Sequence, residues 1–249
     1  MKRFWEKAEV VAAADSAVAG GNAGYNIMLD GRPLRTPKKN LLHLPGLPLG
    51  EAIAAEWNAV EGEVRPQALP LTGIANAGCD IVAADPAGFA ERLARYAETD
   101  LLCYRADGPE ALADLQARHW DPLIAWTDNR HGTRFQVTSG IIHIAQPAGT
   151  LQRILTIFQH HPAIELAALS LLVEISGSAI LALALSEGAI TLSDAFHAAT
   201  IDELWQEQHW GADKEATEQR AGRQQLFAAA FQFLELARKE GISSQALAN

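Results

Sequence analysis

The sequence predicts an α+β protein: a β-rich N-terminal domain with one or two helices, residues 1–85, followed by a larger all-helical C-terminal domain, residues 86–249. Three observations carry this expectation. The first 45 residues fall into short runs holding β-branched or aromatic residues, punctuated by Gly, Asn and Asp. From residue 50 the apolar residues recur at helical spacing. Asp85-Pro86 then sets an N-cap acid before a proline at the first helical position, which marks the boundary.

The strand candidates are FWEKAEVVA, YNIMLD, PLRTP and LLHLP, with a glycine-rich turn at 19–24 and Asp30-Gly31 as the signal for a hairpin joining two antiparallel strands. In GEAIAAEWNAVEG, Ile53, Trp57 and Val60 share one helix face. TGIANAGCDIVAAD repeats the pattern with Ile74, Ala77, Ile81 and Ala84, and Thr72 is its expected N-cap. Phe89, Leu93 and Tyr96 line the helix after Pro86. Residues 109–120 and 122–130 are read as two helices or one kinked helix, since an interior proline costs about 3 kcal/mol. After a short irregular or β stretch at 133–144, helices are expected at 149–160, 163–187, 192–210 and 214–240. Thr191 and Asp194 form an acidic variant of the capping box.

Composition narrows the function classes. With 249 residues, 49% apolar and 20% charged, the chain can bury a sizeable core and is not of the disordered class. Its net charge of −10 disfavours nucleic acid and anionic membrane surfaces, whose binding needs a basic face. Cys79 and Cys103 have neither metal nor redox spacing and fit ordinary packing in a reducing compartment. The start, MKRFWEKAEV, has no apolar run of a signal peptide and no Arg- and Ser-rich presequence, so the expectation is a bacterial cytoplasmic protein. The apolar run at 165–188 is long enough for a membrane span, but Glu174 near its middle opposes insertion by about 2.5–3.5 kcal/mol. A buried core helix is expected instead, with Glu174 at the domain edge or paired with a basic group.

Catalytic signatures are weak. GGNAGYN lacks the Walker lysine and precedes a strand, so it cannot aim helix-end amides at a phosphate. Gly-x-Ser-x-Gly is absent, and Ser178 reads as a core serine. His160, His161 and Glu165 form the only local ligand cluster, which leaves a metal-dependent hydrolase as the alternative reading. Asp202-Glu203 and Glu203/Glu207 are the paired acids, more in keeping with a solvated face than a dyad. One anomaly stands out. Leu192, Phe196, Ala199 and Trp210 make one apolar stripe on a helical wheel, and Glu203 sits within it.

Taken together, LDGRPLRTP at 29–37, AIAAEWNAV at 52–60, LPLTGIANAGCD at 69–80, TDLLCYR at 99–105, LQARHWDPLIAW at 115–126, ALALSEG at 182–188 and IDELWQEQHWG at 201–211 resemble one family. It is the family of assembly chaperones of F-type ATP synthase that handle the α subunit of the soluble catalytic sector. The match runs in order over nearly the whole chain. Gly78-Cys79, where Thr-Ala is more usual, and Asp194, where Glu is usual, depart from it as packing or capping variations.

The resemblance implies no cofactor, no metal and no catalysis. It implies that the partner is the unassembled α subunit, kept from aggregating through its apolar surface; a monomer is expected separately. On that reading Trp210 supplies contact area, Gln206 and Glu203 supply hydrogen bonds, and Gly211 stops the helix. Glu203 either meets the client or pairs internally with Arg220 or Arg223. Trp57 is either a client contact or core.

Overall fold

A computed structural model describes residues 2–17 and 23–239. It separates into two compact units. The first takes the chain up to Asp85, residues Ala163–Ala168 and the described residues from Gln232 onward; the second takes Pro86–Pro162 and Leu169–Phe231. A small β-rich region at the N-terminus and a larger helical remainder make the protein α+β.

The sheet of the first unit is centred on β2 (Ala23–Leu29), which pairs antiparallel with β1 (Ala8–Ala17), β3 (Arg32–Pro33) and β4 (His43–Leu44). The β2–β3 turn is Asp30-Gly31, with φ of +46° and +76°, the left-handed pair that a two-residue hairpin needs. Most of the glycine-rich turn before β2 lies outside the described residues. Inward-facing Ile27 and Leu29 are buried, and α1 (Leu47–Asn58) packs against β1. Gly50 permits that approach: a Cβ there would lie 2.8 Å from Val10 Cγ1.

A carboxylate joins α1 to α2 (Pro70–Asp80). Pro70 has no N–H to satisfy, and the next two amides, of Leu71 and Thr72, donate to Glu56 Oε1 and Oε2 at 2.7 and 2.9 Å. Thr72 is therefore not the N-cap expected from sequence. It is the third helical residue, and its hydroxyl donates to Glu56 and accepts from the Trp57 indole. Burial pushes the Glu56 carboxyl up, and the two amides and the hydroxyl pull it back. Glu56→Ala strips this cap and should lower stability by about 1–2 kcal/mol in urea denaturation, with the far-ultraviolet dichroism unchanged. A loss below about 0.3 kcal/mol would show that water replaces the carboxylate.

In the second unit, α3 (Pro86–Ala94) begins at the expected proline. α4 (Glu110–His131) is one continuous helix through Pro122. Pro122 and Arg118, whose carbonyl loses its donor, are both exposed, so water can take over that bond. Beyond α5 (Ala148–Gln159), the single helix expected over 163–187 is two helices. α6 (Ala163–Ser176) ends on Gly177 at φ +66°, and α7 (Ala179–Ser186) starts from Ser178 as N-cap. Ala179–Leu185 are all buried, whereas Glu174 is exposed.

The helix expected over 192–210 is also two: α8 (Leu192–Ala199), capped by Thr191, and α9 (Ile201–Trp210). Thr200 turns out of the helical region at φ −120°, and its hydroxyl donates to the Phe196 carbonyl at 2.8 Å. α10 (Lys214–Arg238) follows. Among the described residues, no helix is long and apolar enough to cross a membrane.

Candidate functional site

The break at Thr200 means that one helical wheel cannot describe both halves of the apolar stripe. α9 is instead set against the first turns of α10 by two ion pairs. Arg223 Nη2 donates to Glu203 Oε1 at 2.6 Å, and Arg220 donates to Glu207. Glu203 and Glu207 lie one helical turn apart, as do Arg220 and Arg223 on α10, so the four side chains form two rungs. Glu203 thus has a partner inside the chain. Its side chain and that of Arg223 remain 40% and 41% exposed, so the pair lies at the surface.

Between the helices, Gly211 stands at φ +92°, ψ 158°, a region open to glycine alone. It turns the chain sharply after Trp210, and Asp213 then accepts from the Ala216 amide to start α10. At this tip Trp210 is 77% exposed, an unusual position for the largest apolar side chain. Gln206 is exposed one turn before it. Trp205 stacks on His209 at 4.2 Å, and Ile201 anchors the buried end of α9. Asp202 Oδ1 accepts from Gln116 Nε2 at 2.7 Å, and Gln116 Oε1 in turn accepts from the Ala106 amide. Gln116 and Asp202 are 86 residues apart, so no local spacing signals that contact.

Trp57 lies elsewhere. It is 6% exposed, packs on Trp5 at 4.8 Å between ring centroids and donates to Thr72 Oγ1 at 3.0 Å within the first unit. The hydrolase alternative finds no support. Glu165 is held by Arg238 Nε at 3.0 Å, and His160 Nδ1 lies 2.6 Å from the Thr156 carbonyl oxygen. Among the described residues no group of three or more His, Cys, Asp or Glu side chains could hold a metal ion.

This tip offers an exposed aromatic beside amide and carboxylate groups, at a turn shaped by Gly211. The family model described as ATP12 chaperone protein matches residues 2–128. The crystal structure of Atp12 from Paracoccus denitrificans is 38% identical, with a TM-score of 0.87 over 95% of this chain and 98% of that one; a point mutant of the same protein superposes at 0.86. A protein from Agrobacterium tumefaciens, also 38% identical, reaches 0.89 over 95% of this chain and 86% of its own. With its fold and more than half its length matched in this way, the chain belongs to the ATP12 chaperone family and is a chaperone of ATP synthase assembly.

Proposed function

We propose that the client is the unassembled α subunit of the F-type ATP synthase. The chain holds it as a monomer in the bacterial cytoplasm, with no cofactor and no catalytic step. The surface assigned to the client is the α9–α10 tip: Trp210 as the apolar contact, Gln206 and the outward side of Glu203 as hydrogen-bonding groups, and Gly211 as the residue that shapes the turn. Trp57 is buried and is assigned to packing. The observation that carries this choice is the 77% exposure of Trp210 on a turn that the two ion pairs and Gly211 hold in place. A chaperone must cover apolar surface and still release it, which calls for aromatic area rimmed by polar groups.

The test pairs thermal melting with light scattering of the isolated α subunit. Glu203→Gln should leave the melting temperature within about 2 °C, since a surface ion pair contributes only about 0–1 kcal/mol. Protection of the α subunit should fall severalfold. Trp210→Ala should do the same, because little of its area is buried in the free protein. A large fall in melting temperature for Glu203→Gln would assign that carboxylate to structure alone. Full protection by both variants would move the client to another surface.

A further inference from the structure

Histidine is the commonest protein ligand for metal ions, through either nitrogen of the neutral ring. Two histidines far apart in sequence face each other in the second unit. His119 stands on α4 and His197 on α8, both exposed, with ring centroids 5.0 Å apart and planes at 65°. The rings of His131, His143, His160 and His209 each meet another protein group within hydrogen-bonding distance. Neither His119 nor His197 has a hydrogen-bond partner among the described residues. The backbone beneath the pair is fixed by the next residue on each helix. Trp120 and Ala198 are both buried, and the indole of one donates to the carbonyl of the other at 2.9 Å.

The spacing is that of two ligands on one ion. Zinc sits about 2.0–2.1 Å from each ligating nitrogen, and a tetrahedral angle between two such bonds puts the ring centroids about 5 Å apart. Right-angled ligands on a square-planar ion would bring them to about 4.5 Å. The observed 5.0 Å fits the tetrahedron. Exposure leaves each ring free to turn about its side-chain bonds until one nitrogen points at the ion. The charges nearby are mixed. Arg118, beside His119, opposes a cation, whereas Asp194, one turn before His197, favours it, and both act electrostatically on His119. Asp194 Oδ2 accepts from the Thr191 hydroxyl at 2.7 Å, and its Oδ1 has no partner among the described residues.

We propose that His119 and His197 are the two protein ligands of a zinc site, with water completing the tetrahedron and Asp194 Oδ1 accepting from that water. Two protein ligands make an open, exchangeable site, unlike the four-ligand centres that hold small zinc domains together. The ion bridges α4 and α8 shortly before Thr200, where the chain turns into α9. It braces the contact that Trp120 and Ala198 already make. The assignment is independent of the client reading above.

The experiment titrates zinc chloride into the untagged, metal-stripped full chain by calorimetry at neutral pH, with magnesium chloride as the oxygen-preferring control. The parent should bind one zinc ion per chain, ignore magnesium, and gain at least about 2 °C in melting temperature at saturating zinc. His119→Ala and His197→Ala should each weaken zinc binding by at least about tenfold and abolish that gain. Both side chains are exposed, so the variants should melt like the metal-free parent. A double variant, His160→Ala with His161→Ala, should bind zinc as the parent does. No saturable heat at millimolar zinc would overturn the proposal. So would binding kept by either single variant or lost in the double one, since the ion would then sit elsewhere. One ion per two chains would assign the metal to a bridge between copies and overturn it as well.

Discussion

Asp100→Ala is expected to lower the free energy of unfolding by about 3–5 kcal/mol, among the largest effects of any single replacement here. Asp100 is fully buried in the second unit. Its carboxylate accepts from the Ser178 hydroxyl at 2.7 Å and from the Leu102 and Ile180 amides at 3.1 Å. Those donors include the start of α7, whose residues Ala179–Leu185 are all buried, so the group ties the TDLLCYR segment to the most apolar helix of the protein. Removing the carboxylate leaves three buried donors unpaired at about 1–3 kcal/mol each, partly offset by relaxation.

The same group gives a pH signature. Burial pushes the Asp100 carboxyl up to about 6 from its ordinary 3.8, against the pull of Ser178 and the amides. A carboxyl whose folded pKa is raised keeps its proton more tightly in the folded state. Its contribution is therefore fully present below about pH 4 and declines as pH rises through 6, by about 3 kcal/mol in all. Asp100→Asn removes the titration, so stability of wild type relative to that variant should fall between pH 4 and pH 6.5 and be flat above. Urea denaturation of both proteins across that range is the measurement. A gap independent of pH would show that the carboxylate is ionised throughout.

Trp120→Ala should cost about 3–5 kcal/mol by the same assay. Trp120, from the WDPL stretch, is fully buried, and its indole donates to the Ala198 carbonyl at 2.9 Å, joining α4 to α8. The Arg105 guanidinium lies 5.1 Å from the ring centroid and donates to Asp121 at 2.6 Å. Alanine would therefore open a cavity and remove the face on which a largely buried cation rests. Trp120→Phe retains a ring but orphans the Ala198 carbonyl, and should cost about 1–2 kcal/mol. A loss below about 1 kcal/mol for the alanine variant would mean that the surrounding helices collapse into the space.

Much of the fold was written in local signals, because turns and caps are settled by residues a few positions apart. Asp30-Gly31 makes its hairpin, α3 starts at Pro86, and the Thr191 hydroxyl both accepts from the Asp194 amide and donates to its carboxylate. The apolar density of 165–188 foretold a buried segment, and the ordered set of short stretches pointed to the family. Tertiary structure decided the rest. Ser176-Gly177-Ser178 lies within an apolar run long enough for one helix, yet Asp100, 78 residues away, takes up the Ser178 hydroxyl and the amides at the start of a second one. Thr72 looked like a cap from its own neighbourhood, but Glu56 on the preceding helix reaches the amides first. Glu203 had two candidate arginines, Arg220 and Arg223. Which arginine it meets depends on how sharply Gly211 returns the chain, because a side-chain partner across a turn is chosen by three-dimensional register that no helical period encodes.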